Sequence, residues 1–117
     1  EIACCDWSSD VCSSDLDEVS AWNLATTGEG LGSIGLVVGA TIDRRAAGLP
    51  EALTPPAPIL APGFGAQGAR LTELATLFGA DSPQVIASES RGVLGAGPDG
   101  MTRAIGEKKK ELGVIGG

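Results

Sequence analysis

Histidine is absent from this chain, and lysine is confined to Lys108, Lys109 and Lys110. Without histidine, these residues cannot build imidazole zinc sites, Ser-His-Asp triads or a histidine general base. Cysteine is scarce as well. Cys4, Cys5 and Cys12 stand near the start, without the fourth ligand or the spacing of a structural zinc site, so no metal is expected. No apolar run is long enough to cross a bilayer, because glycines and charges interrupt every hydrophobic stretch. A basic stripe is also lacking, so nucleic acid is not an expected partner. The opening residues have neither the basic segment nor the apolar segment of a secretory signal. A cytoplasmic location, away from membranes, is therefore expected.

What remains is the composition of one small globular domain: 117 residues, 43% hydrophobic and 20% charged. The net charge of −7 is unevenly spread. Glu1, Asp6, Asp10, Asp15, Asp17 and Glu18 fall in the first eighteen residues with no base among them, and beyond them nine acids nearly balance eight bases. The body is therefore close to neutral behind an acidic leader. Residues 1–16, rich in Ser, Asp and Cys, show neither a helical nor a strand period. They read as a disordered or non-native leader, resembling the translation of a sequencing adapter, and the domain proper is expected over residues 17–117.

From Asp17 onward the pattern alternates. Val19 to Ala25 reads as the end of a helix, with Trp22 as its core anchor. Ile34 to Ala40 is a short unbroken apolar run, as expected of a parallel strand buried on both faces. Thr41 to Ala47 is predicted as a short helix ended near Gly48 and Pro50. Pro58 to Ala61 is a second strand, and Ala69 to Phe78 is an amphipathic helix with Leu71, Leu74, Ala75 and Phe78 on one face. Asp81 to Pro83 is a turn, Gln84 to Ala87 a third strand, and Val93 and Leu94 open a short helix. A last helix follows Gly97 to Gly100, with Lys108 to Lys110 near its end, where they suit the helix dipole. Strands alternating with helices imply parallel βαβ units. Both a doubly wound sheet and a slice of a (β/α)₈ barrel fit this order.

Two stretches match G-x-G-x-x-G. The first, at Gly30, Gly32 and Gly35, runs into a strand and is read as a chance match. The second, at Gly63, Gly65 and Gly68, follows a strand and opens a helix, with Glu89 about twenty positions on. That arrangement suits a nucleotide-binding Rossmann-type unit, in which Glu89 would bind ribose. Arg91, just past the next strand among Ser88, Ser90 and Gly92, suits the phosphate site of a barrel, where Gln67 and Arg91 could meet on one anion. A surface ion pair with Glu89 is the plainer reading of Arg91.

Three segments taken together resemble the orotidine 5′-phosphate decarboxylase family: Gly35 to Thr41 (GLVVGAT), Leu60 to Gly68 (LAPGFGAQG) and Val85 to Leu94 (VIASESRGVL). Their order resembles the last three strands of that (β/α)₈ barrel, and Trp22-Asn23 upstream is closest to the longer bacterial branch. The resemblance implies a TIM-barrel fold, of which this chain would be a C-terminal portion. It implies that Gln67, on a closing loop, and Arg91, assisted by the backbone at Ser90, bind the substrate phosphate. Many members have glycine at the position of Ser90. Pro62, Gly63 and Gly65 would lie in the substrate pocket. The family's Asp-x-Lys-x-x-Asp network has no counterpart here, so no catalytic residue is expected in this stretch. The implied activity uses no cofactor: the carboxylate leaves C6 of the pyrimidine as CO₂, and a lysine protonates the carbanion. The implied partners are orotidine 5′-phosphate and, in the intact enzyme, a second subunit of a homodimer.

Overall fold

The computed structural model describes residues 2–4 and 9–113. Four strands form one parallel sheet in the order β1-β2-β3-β4, so spatial order follows chain order without a reversal. They are β1 (Ile2–Cys4), β2 (Gly35–Val37), β3 (Ile59–Pro62) and β4 (Val85–Ser88). The helices are α1 (Ser9–Thr27), α2 (Leu74–Phe78), α3 (Arg91–Leu94) and α4 (Gly97–Glu111), with 3₁₀ turns at Leu71–Glu73 and Gly79–Gln84. The molecule is thus α/β with parallel strands. Each half of a doubly wound dinucleotide fold contributes three strands before the order reverses. Four strands in unbroken sequence order fit single winding instead.

Part of the leader over residues 1–16 is described, and there it has regular structure. Ile2–Cys4 pairs with Gly35–Val37, and α1 begins at Ser9. A short apolar stretch needs no period of its own when a neighbouring strand supplies the hydrogen bonds.

The ladder between β2 and β3 runs beyond the assigned strands: the N–H groups of Leu36, Val38 and Ala40 donate to Pro58, Leu60 and Pro62 at 2.8, 3.0 and 2.8 Å. Pro62 has no N–H to give, and here only its carbonyl is used. The core collects Val38, Ile59, Ala61, Phe64, Leu71 and Phe78 around this ladder.

Trp22 is not the core anchor of α1; it is 58% exposed. The buried residue is its neighbour Asn23, one helical turn from buried Val19, so the inward face runs through positions 19 and 23. Burying a carboxamide requires full pairing. Asn23 Oδ1 accepts from Ile34 N–H and its Nδ2 donates to Ile34 carbonyl, both at 2.9 Å, fastening α1 to the entry of β2. Gly32 makes room: a Cβ there would collide with the Asn23 carboxamide. Gly35 is similarly required, since a Cβ would stand 2.6 Å from the Pro58 carbonyl. The first glycine match is therefore a packing feature.

Residues 41–47 form successive turns and no helix. Asp43 Oδ1 accepts from the N–H groups of Arg45 and Ala46 at 3.0 and 3.2 Å, which closes a local turn, and the chain ends it with Gly48 at φ +74°. The helix expected over Ala69 to Phe78 is shorter, a 3₁₀ turn leading into α2, and Ala75 is exposed. Asp81, expected in a plain turn, is buried within the 3₁₀ stretch. Its Oδ2 takes a hydrogen bond from Arg44 at 2.6 Å, and its Oδ1 accepts from Leu53 N–H at 2.9 Å. Arg44 also donates to the carbonyls of Phe78 and Pro50, each at 3.1 Å.

Removing one partner of such a buried pair leaves the other charge uncompensated, which costs about 3–5 kcal/mol. Asp81→Ala is accordingly expected to lower the unfolding free energy of the chain by about that amount in a urea titration. Breaking the exposed Arg45–Glu51 pair with Arg45→Ala should leave the midpoint where it is.

Candidate functional site

The loop from Pro62 to Ala69 is a closed backbone device. Gly65 N–H donates to Ala69 carbonyl at 2.8 Å, Gly68 N–H to Gly65 carbonyl at 2.9 Å, and Ala69 N–H to Gly63 carbonyl at 3.2 Å. Gly63, Gly65 and Gly68 hold φ values of +109°, +75° and +110°, a region that side chains rarely tolerate. Three of the loop's amides are therefore spent inside it. A dinucleotide fingerprint would turn free amides toward a pyrophosphate and start its helix at the last glycine. Here the first helical turn waits until Leu71.

On one side of this loop lies a cavity of about 210 Å³, lined by Pro62, Gly63, Phe64, Ala66, Gln67, Ser88, Ser90 and Arg91. Two crossovers build it. The β3 loop gives the first five residues, and the end of β4 with the start of α3 gives the other three. Gln67 folds back so that its Oε1 lies 3.3 Å from where a Gly63 Cβ would stand. Ser90 and Arg91 stand at the start of α3, whose first amides lack intrahelical partners. Arg91 makes no ion pair among the described residues. Gln67 and Arg91 thus border one space.

Five of the six residues singled out in the sequence for substrate contact line this cavity: Pro62, Gly63, Gln67, Ser90 and Arg91. Gly65 does not. It borders a second cavity, of about 260 Å³, on the other side of the loop with Arg70, Glu89, Lys108 and Glu111. Ser88 was passed over as a ligand-facing residue. Its place at the C-terminal end of β4, where a parallel strand passes into its loop, is the signal that locates it.

Glu89 borders the second cavity and does not pair with Arg91. Its side chain is 6% exposed and lies 3.5 Å from Lys108 Nζ on α4. Lys108 also donates to Glu111 at 3.2 Å. The hydrogen bond to Glu111 raises the Lys108 pKa above the usual lysine value; burial opposes the rise and the charge of Glu89 adds to it. A raised folded-state pKa means that this contribution to stability is fully present below the ordinary lysine value of about 10.4 and is lost as pH climbs through the folded-state pKa. Stability measured by urea titration should therefore hold across neutral pH and fall in the alkaline limb, and Lys108→Met should flatten the part of that fall owed to this lysine.

No protein-family model matches the chain, and no solved structure matches it. Curated proteins do. Orotidine 5′-phosphate decarboxylase of Salinispora tropica is 46% identical over 84 residues, which cover 72% of this chain and 28% of that protein. The protein of the same name from Streptomyces coelicolor is 48% identical over 71 residues, covering 61% of this chain and 24% of the relative. That of Nocardioides sp. is 50% identical over 64 residues, covering 55% and 22%. Over most of its own length, then, the chain is related to proteins named orotidine 5′-phosphate decarboxylase, and it spans less than a third of the length of those relatives.

Proposed function

We propose that the chain is the C-terminal portion of a (β/α)₈ orotidine 5′-phosphate decarboxylase, with residues 17–117 as the barrel part and residues 1–16 foreign to it. It carries the phosphate grip of the enzyme and none of its reacting groups. The observation that carries the reading is the meeting of Gln67, Ser90 and Arg91 at one cavity between the loops after two adjacent parallel strands. Barrel enzymes commonly bind phosphate with the loops after their last two strands. Arg91 supplies a charge-assisted, fork-shaped donor, and Gln67 covers the anion from the glycine loop. Pro62 and Gly63 form the wall toward the pyrimidine.

The grip acts at a distance from the bond that breaks. Binding energy gathered on the phosphate would be used to hold the closed state in which the pyrimidine loses CO₂. The lysine that protonates the resulting carbanion would come from a part of the barrel outside this chain, where a complete barrel runs to about 250 residues. The 117-residue chain alone is then inactive. The intact enzyme works as a cytoplasmic homodimer without a cofactor. The Rossmann-type alternative draws no support from the spent loop amides or the buried, lysine-paired Glu89.

The test places Arg91→Ala in an intact barrel containing this segment. Loss of a charge-assisted contact to a phosphate costs about 1.5–3 kcal/mol, so kcat/KM for orotidine 5′-phosphate should fall roughly ten- to a hundredfold. Orotidine without its phosphate should react at the same slow rate with either enzyme. Equal large losses on both substrates would make Arg91 a support of the fold and sink the assignment.

A further inference from the structure

Glu89 is the one buried titratable group beside the proposed phosphate grip that the grip itself does not use. Its carboxylate fills a notch left open by two glycines from different crossovers. A Cβ on Gly65, in the β3 loop, or on Gly92, in α3, would collide with the Glu89 carboxylate. The same carboxylate meets Lys108 of α4 at 3.5 Å, and its Oε2 is buried without a hydrogen-bond partner. Three segments of chain therefore close on one side chain. Two of them, the β3 loop and α3, carry Gln67 and Arg91. Glu89 also stands between Ser88 and Ser90, both of which line the anion cavity, while its own side chain points to the opposite side.

A buried carboxylate is a poor choice as mere packing. Its desolvation is costly, one of its oxygens goes unpaired, and its charge opposes an anion bound nearby. A rigid spacer between the two loops is what offsets those costs. We infer that Glu89 is a positioning residue: wedged between Gly65 and Gly92 and clasped by Lys108, it sets the separation of Gln67 and Arg91 across the anion cavity. The inference rests on the reading of that cavity as a phosphate grip. Lys108 has two tasks in it. It holds the carboxylate in the notch, and it cancels a negative charge that would otherwise repel the phosphate.

Shape and charge can be separated, because they predict opposite signs. Glu89→Gln keeps the shape and removes the charge. Glu89→Ala removes both. The probe is inorganic phosphate, titrated into the 117-residue chain while the Arg91 Nε–H and Gln67 side-chain amide resonances are followed. Melting temperatures are recorded alongside. Glu89→Ala is expected to weaken phosphate binding at least about tenfold, since the fork and the amide lose their spacing. Glu89→Gln is expected to tighten it about two- to fivefold, because the charge of Lys108 is then no longer offset by the carboxylate, although the lost ion pair lowers the melting temperature. Affinity and stability would then move in opposite directions, which a purely structural residue cannot produce. Gly92→Ala should weaken binding like Glu89→Ala, and adding it to Glu89→Ala should cost nothing more, because the two changes remove one contact.

Phosphate affinity unchanged in Glu89→Ala and Gly92→Ala, with Arg91→Ala still abolishing binding, would overturn the positioning role and leave the grip standing. Affinity and stability falling together in Glu89→Gln would overturn it too, and that variant keeps the test open if the alanine forms do not fold. A wild-type chain that binds no phosphate, or binds it equally well as Arg91→Ala, would overturn the grip and this inference with it.

Discussion

Asp81 holds together the parts of this molecule that the sheet alone would leave apart. Parallel strands cannot be joined by tight turns, so each crossover has to be fastened back onto the sheet by something other than its neighbours in sequence. Here the crossover from β2 to β3 contains no helix, and it reaches the core through isolated side chains such as Leu49, Leu53 and Ala57. Asp81 supplies the fastening. Through Arg44 and the Leu53 N–H it binds both ends of that crossover to the 3₁₀ stretch just ahead of β4. Arg44 extends the tie to the Phe78 and Pro50 carbonyls and stacks over the Phe78 ring, 5.8 Å from its centroid. With the crossover fixed, the C-terminal ends of β3 and β4 emerge side by side, and the two loops that frame the cavity of Gln67 and Arg91 leave from adjacent points.

How much of this was legible in the sequence depends on the distance over which each feature is decided. β2, β3 and β4 could be placed because strands buried on both faces are written locally, as short apolar runs between turn residues. The convergence of Gln67 and Arg91 was legible for the same reason, since each sits a fixed few residues past such a run. Trp22 misled because size was taken as burial. The helix frame is set by Asn23, whose partner Ile34 lies eleven residues on and whose seat is the missing side chain of Gly32. The helix expected over residues 41–47 failed by a related route. The Asp43 side chain competes for the first amides, and the Arg44 side chain is drawn to a carboxylate thirty-seven residues away. No local period records that pull.

The glycine loop is where local and distant rules meet. A fingerprint of three glycines says that the backbone must bend sharply, and it does, at positive φ in all three places. The fingerprint does not say which way each glycine faces. Gly63 opens toward the anion cavity beneath Gln67, whereas Gly65 opens the other way, onto Glu89. One motif therefore serves two surfaces of a thin wall, and reading all its glycines as ligand contacts assigns one of them to the wrong side.

The same wall explains why a glutamate occurs so close to an expected phosphate. Ser88 and Ser90 line one cavity, while Glu89 borders the cavity on the other side of the β3 loop. On the far side position 89 meets backbone at Gly65 and Gly92 and a lysine from α4. A short side chain there would leave a void between the two loops, and an apolar one would face Lys108 and Glu111. Glutamate is long enough to span the notch and charged to match Lys108. Its negative charge costs the neighbouring anion site little, because the lysine stands against it. An acidic residue two positions from Arg91 would thus be compatible with anion binding while Lys108 of α4 stands against it, although α4 contributes no residue to that cavity.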